Sequence, residues 1–255
     1  MPGSVQSIER AAAILRLLAR GSGRLGVGEI STSLGLAKGT THGILKTLQD
    51  VGFVEQDKAS GKYQLGATLL HLGTSYLDVN ELRSRAINWA DALASRSGEA
   101  VRIGTPLDGK VLVVHHVFRP DDSLQTLDVG SLLPLHATAL GKVLLAYDAD
   151  VASHIKDDEL EPFTRRTLAT TATLNRAIGK VRETGWASEL EEYNPGQASI
   201  AAPIRGYGGL VVGAISIAGA AERLCPVAER ADPALVTFVQ NAARAISRDL
   251  GAGRW

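Results

Sequence analysis

Apolar positions fall into two regimes along the chain. Up to about residue 66 they recur at three- and four-residue steps, the spacing of amphipathic helices. From residue 81 onward, helical spacing alternates with short continuous or alternating apolar runs that read as strands. In the first regime, residues 7–20 are expected to be a helix with Ser7 as N-cap, Glu9 in its first turn, and Ile8, Ala11, Ala12, Leu15, Leu18 and Ala19 as its buried stripe. Two shorter helical patterns then meet at Gly35-Leu36-Ala37. The second, residues 38–51, divides between an apolar side (Leu36, Ile44, Leu45, Leu48, Val51) and a polar row of Lys38, Thr41, His42, Lys46 and Gln49. Gly52 stands where a C-cap glycine belongs. After it, Phe53-Val54-Glu55 and Lys62-Tyr63-Gln64-Leu65 flank a polar tip ending in Ser60-Gly61, the pattern of a hairpin. Helix, tight turn, helix and hairpin predict a winged helix-turn-helix over residues 1–66.

Residues 66–80 carry Leu69, Leu70, Leu72, Tyr76 and Leu77 without proline and are expected to form a helix linking two domains, with residues 67–80 as linker. The second domain, 81–255, is predicted to open with a helix over 82–97. Strands at 99–105 and 111–118 follow, joined by a turn at Asp108-Gly109, with a third short strand at 124–129. A helix opening in the stretch from Leu133 runs to about Tyr147, with further helices near 150–156 and over 173–184. Strands are expected at 186–192, 198–204 and 210–218, and a last helix over 233–250 has proline in its first turn and Leu235, Val236, Val239, Ala242, Ala243 and Ile246 on its apolar side. The expected fold class is α+β, with a mainly antiparallel sheet in the second domain.

Composition adds limits. Across 255 residues, 27 basic residues balance 27 acidic ones, so no global charge advertises a nucleic-acid partner. Residues 1–66 hold eight basic against five acidic residues, a mild local excess of the sign that DNA requires. Cys225, the single cysteine, excludes an internal disulfide framework and a cysteine-rich zinc site, and a reducing cytoplasm is expected. The N-terminus lacks the pattern of a signal peptide. The longest uncharged apolar run, residues 206–221, is shorter than the roughly 20 residues of a membrane span, so no membrane partner is expected.

The polar row on residues 38–51 is about 16 Å long at about 1.5 Å rise per residue, about half a turn of B-DNA. Lys38 and Lys46 are candidates for phosphate contacts, and Thr41, His42 and Gln49 for base edges. Thr40 and, on the hairpin, Lys62 complete the candidate set. A solvated helix face has the same composition; the flanking turn and hairpin favour the DNA reading. Gly21 to Gly26 matches GxGxxG, but a helix ends into it where a dinucleotide fingerprint requires a strand, so it reads as a loop. Neighbours His115 and His116 point to opposite faces of a strand, and no metal site is expected there. Glu189 and Glu191 are expected to share a strand face, and Glu191 and Glu192 to form a solvated edge. No GxSxG, HExxH or Walker pattern occurs, and neither catalysis nor a cofactor is expected. The competing class is an enzyme or sensor for a small organic acid, with the N-terminal domain as an interaction module.

Several stretches resemble the IclR-type bacterial transcriptional regulators: Ser7-Ile8-Glu9-Arg10-Ala11, Tyr63-Gln64-Leu65-Gly66, residues 134–142 (PLHATALGK), and the region 185–204. The resemblance covers essentially the whole chain. It implies a winged helix-turn-helix followed by a GAF-like effector-binding and oligomerisation domain, a repressor of a catabolic operon, operator DNA as partner, and a homodimer or homotetramer. It implies an effector site at Ala139, Leu140, Glu189, Ser199 and Ser216. Glu189 stands where Asp or Ser is usual, Ser199 where cysteine is frequent, and Ala218 where serine is; Arg205 and Gly206 also depart from the pattern. Glu55-Gln56-Asp57, residues 115–122 and residues 248–254 resemble the glycerol operon branch, which implies glycerol or glycerol 3-phosphate as effector.

Overall fold

The computed structural model describes residues 5–19, 23–69, 77–121, 123–155, 160–227 and 230–253, with the side chains of 77–80 excepted. The chain divides into two compact units, Met1–Leu77 and Asp78–Trp255.

The first unit holds α1 (Gln6–Leu18), α2 (Val27–Leu34), α3 (Lys38–Asp50), β1 (Val54–Gln56) and β2 (Tyr63–Leu65). Its core is Ile14, Leu18, Ile30, Leu45, Leu48, Val54 and Tyr63. The Ser7 cap is corrected. The helix starts at Gln6 and its N-cap is Val5, two residues before Ser7, which contributes no side-chain cap. The buried stripe rotates with it: Ile14 is fully buried and Ile8 is 66% exposed. Of the expected α3 stripe, Val51 is likewise exposed.

Helix α2 is entered through Glu29, whose carboxylate accepts the Gly26 N–H at 2.6 Å, and ends at Gly35 with φ +63°. Helix α3 ends in a Schellman turn: Gly52 N–H donates to Gln49 O and Phe53 N–H to Leu48 O. Gly52 has φ +75°, and a Cβ at Gly66 would stand 2.2 Å from its carbonyl oxygen. Only glycine at 66 lets the returning strand cross the helix end this closely, where Gly66 N–H donates to Phe53 O. A third segment joins the hairpin, since Leu25 exchanges both backbone bonds with Tyr63. The link expected over 67–80 is described only at its two ends, and most of its apolar stripe lies outside the described residues.

The second unit runs α4 (Leu77–Ser97), β3 (Ala100–Leu107), β4 (Lys110–Val117), β5 (Leu132–Pro134), α5 (Ala139–Tyr147), α6 (Ala149–Ala152), α7 (Thr171–Thr184), β6 (Ala187–Leu190), β7 (Gln197–Arg205), β8 (Val211–Ala220), α8 (Ala221–Leu224) and α9 (Pro233–Asp249). Six strands form one sheet in the order β5-β4-β3-β8-β7-β6, every neighbouring pair antiparallel. One face, with Val101, Ile103, Ile200, Ile204, Ile215 and Ile217, packs with residues of α4 and α9. The other, with Val111, Ala187, Ala201 and Ala214, packs with α5 and α7. The β3–β4 turn has positive φ at Asp108 and Gly109, the type I′ geometry that an Asp-Gly pair favours.

One expectation fails at the sheet edge. Residues 124–129 are loop, with Leu124 fully exposed and Leu127 and Val129 largely so. Pairing resumes where Gly130 and Ser131 exchange bonds with Val113, and the edge strand falls at 132–134 instead. The short helix expected near 150–156 is α6, capped by Asp148 and ending at Ala152; residue 156 lies outside the described residues.

Candidate functional site

On α3, Lys38, Thr40, His42, Lys46 and Gln49 are exposed, as are Gly39 and Gly43 between them. Lys38, His42, Lys46 and Gln49 stand at steps of four, four and three and form one row. Neither lysine forms an ion pair among the described residues. Thr41 is corrected. It is completely buried, shares the inward side with Leu45 and Leu48, and its hydroxyl donates to Ala37 O at 3.2 Å. A step of three and then four from Leu48 back through Leu45 reaches 41, so the stripe that fixes the core also claims it. On the hairpin, Lys62 lies 3.7 Å from Glu29, both exposed; such a pair is worth little and yields readily to phosphate.

The effector candidates meet through sheet register. Glu189 of β6 pairs with Ser199 of β7, which pairs with Ala218 of β8. One row along, Ser216 of β8 pairs with Arg102 of β3. Opposed residues share a face, so these side chains converge beside the start of α5. They border a cavity of about 490 Å³, to which Leu140, Glu189, Ser199 and Ser216 all contribute. Ala139 has a wholly buried side chain, in the cluster that also holds Val111 and Leu135, so what it offers is its backbone N–H in the first turn of α5, while the side chains of Thr138 and Leu140 line the cavity. Thr138 caps α5, accepting the Gly141 N–H at 3.1 Å, while the N–H groups of the first turn have no intrahelical acceptor. Gly141 is required there, because a Cβ would lie 2.1 Å from Leu135 O.

Arg102, Asp128, Tyr193, Asn194 and Gln197 also line the cavity and escaped the sequence reading. Arg102 left a signal, a lone cation between two strand residues, Val101 and Ile103, that are fully buried. Asp128 left none, since its loop reads as strand.

Glu189 is 6% exposed. Its carboxylate accepts Ser199 Oγ–H at 3.2 Å and Glu192 N–H at 3.0 Å. Burial nevertheless outweighs those bonds and pushes its pKa up to about 7. Glu192 corrects the expected solvated edge. Lys142, itself buried, draws it in, with Nζ 2.5 Å from Glu192 Oε1 and 3.1 Å from Ser188 O. Burial raises the Glu192 pKa, and Lys142 opposes the shift. Glu191 leaves the Glu189 face because the backbone turns at φ +54° there, and Arg166 takes its outer oxygen at 3.1 Å. His116 is buried and accepts Asp128 N–H at Nδ1; burial lowers the pKa of both His116 and His115. Among the described residues no group of three His, Cys, Asp or Glu side chains is gathered to hold a metal, and no helix is long and apolar enough to cross a membrane. A second cavity of about 390 Å³ beside α9 touches none of the expected effector residues.

A winged helix-turn-helix unit and an α+β unit with a polar cavity of metabolite size are the parts of a ligand-responsive transcription factor. The chain belongs to the IclR family: the IclR helix-turn-helix domain matches residues 7–58, and the bacterial transcriptional regulator IclR C-terminal domain matches 74–248. Over the full length of both chains it is 56% identical to a glycerol operon regulatory protein of Streptomyces coelicolor and 53% identical to one of Streptomyces griseus. Its fold superposes with a TM-score of 0.82, at 22% identity, on an IclR homolog of Microbacterium hydrocarbonoxydans complexed with 4-hydroxybenzoate, covering 97% of this chain and all of that one. It is a DNA-binding transcriptional regulator, and not an enzyme.

Proposed function

We propose that this regulator represses a glycerol-utilisation operon in the cytoplasm, binding operator DNA through residues 1–66 and releasing it when a small polyol occupies the second domain, residues 81–255. On DNA, Lys38, Lys46 and Lys62 meet phosphates, and Thr40, His42 and Gln49 face the major groove. The observation that carries the effector reading is the convergence of Glu189, Ser199 and Ser216 on one small cavity. A desolvated polyol needs both donors and acceptors. The serines supply both, and a carboxyl with a pKa of about 7 accepts when ionised and donates when protonated. Full-length identity to two glycerol operon regulators supports the polyol. One winged domain reads too few base pairs for useful specificity, so the active form is a homodimer, or two of them as a tetramer. A mobility-shift assay on the DNA upstream of the gene tests the reading. Glycerol or glycerol 3-phosphate at millimolar concentration should release the complex; release by neither refutes the effector assignment.

A further inference from the structure

The effector cavity contains a cation that is already engaged. Arg102 projects from β3 into the cavity wall, and both Nε and Nη2 lie 2.6 Å from one oxygen of Asp128. Asp128 comes from the loop after β4, whose Leu124, Leu127 and Val129 face solvent instead of packing. The loop is tied at its end by this ion pair, by Asp128 N–H donating to His116 Nδ1 at 3.1 Å and by Ser131 N–H donating to Asp128 O at 2.9 Å, and near its start by Gln125, which exchanges two hydrogen bonds with the Arg119 backbone. Few apolar contacts hold the segment, so its detachment is inexpensive.

We propose that Asp128 is an internal stand-in for the anionic group of the effector, and that Arg102 receives the phosphate of a small polyol phosphate which displaces Asp128 and frees the loop. The proposal rests on reading this cavity as the effector site. Three observations select Arg102 and a phosphate. Lys142, the nearby alternative, is committed to Glu192 and Ser188 O and does not line the cavity. The side chains of Arg102 and Asp128 are 29% and 26% exposed, so water can cover the released carboxylate without a large desolvation cost. A phosphate monoester brings nearly two negative charges and three acceptor oxygens to a planar guanidinium. Asp128 offers one charge and two oxygens. An uncharged polyol has no means of opening the pair, and a monocarboxylate competes only on equal terms. Glu189, across the cavity, has its pKa pushed up to about 7 by burial, so at neutral pH it sets about half a charge, and not a full one, against an anion.

Calorimetric titration of the full-length protein with glycerol, glycerol 3-phosphate and inorganic phosphate tests this, using wild type, Asp128→Asn and the charge-neutral Arg102→Gln/Asp128→Asn, with circular dichroism to verify folding. Asp128→Asn should bind glycerol 3-phosphate about tenfold more tightly than wild type, and the double variant should bind it no better than glycerol. Equal glycerol 3-phosphate affinity in wild type and double variant overturns the proposal, as does weaker binding by Asp128→Asn. Wild type that binds glycerol but not its phosphate overturns it too, while leaving the polyol reading intact. Phosphate binding that is lost in the double variant, with no binding of either polyol, would instead overturn the glycerol reading and keep Arg102 as an anion receptor. Binding of none of the three overturns both.

Discussion

On α3 one position of rotation separates His42, exposed and proposed to face DNA, from Thr41, buried and holding the helix to the core. Lys46 is exposed on the polar row, so Lys46→Ala should weaken binding to all sequences alike and lower the salt slope by about one. Gln49→Ala should cost about 1–3 kcal/mol on the operator and nothing on unrelated DNA. Thr41→Val should leave operator affinity unchanged, since the threonine lies inside. Affinity loss in Thr41→Val comparable to that in Gln49→Ala would return Thr41 to the groove. In the cavity, the raised pKa of Glu189 makes stability pH-dependent. Its contribution is fully present below the unfolded value near 4.5 and is lost as pH rises through about 7. Removing the charge with Glu189→Gln should therefore stabilise the protein at pH 8 by up to roughly 3 kcal/mol relative to wild type, with the advantage vanishing near pH 4. Urea melts of the two proteins at both pH values decide it, and a pH-independent difference refutes the burial argument.

At the scale of elements, Gly66→Ala drives a Cβ into the Gly52 carbonyl. The wing must shift off the end of α3, at a cost on the order of 1–3 kcal/mol. Denaturant midpoints measure the loss, and a midpoint equal to wild type would show that the crossing is looser than described. This junction was legible in the sequence because a C-cap glycine, a helical stripe and a hairpin tip each carry a local signal. So were the antiparallel strands of the second unit and the last helix, where apolar spacing is strong and proline marks the start. The loop at 124–129 was not. Its leucines and valine look like a strand, and only the placement of Gly130 and Ser131 against Val113 shows that they are left outside the sheet. The cavity was half legible. Leu140, Glu189, Ser199 and Ser216 came from family resemblance, whereas Arg102, Asp128 and Gln197 reach it through cross-strand register, a long-range property that no window of sequence contains. Glu192 was misread for the same reason, its partner Lys142 being 50 residues away.

For the whole molecule, function requires that the effector bind the DNA-free state more tightly than the DNA-bound state, since a ligand of equal affinity for both shifts nothing. Light scattering should show a dimer or a tetramer at micromolar concentration; a 26.9 kDa monomer with and without operator would contradict the assembly. The central claim is that one polar cavity, bounded by Glu189, Ser199 and Ser216, controls operator binding. Its most direct test is fluorescence anisotropy of labelled operator DNA titrated with wild type and Ser216→Leu, each with and without millimolar glycerol 3-phosphate. Ser216 is almost fully buried on the cavity wall, so leucine should fill the space while every residue of α3 is unchanged. The account predicts equal operator affinity for the two proteins without ligand, and release by ligand from wild type alone. Release of both proteins to the same extent would contradict it.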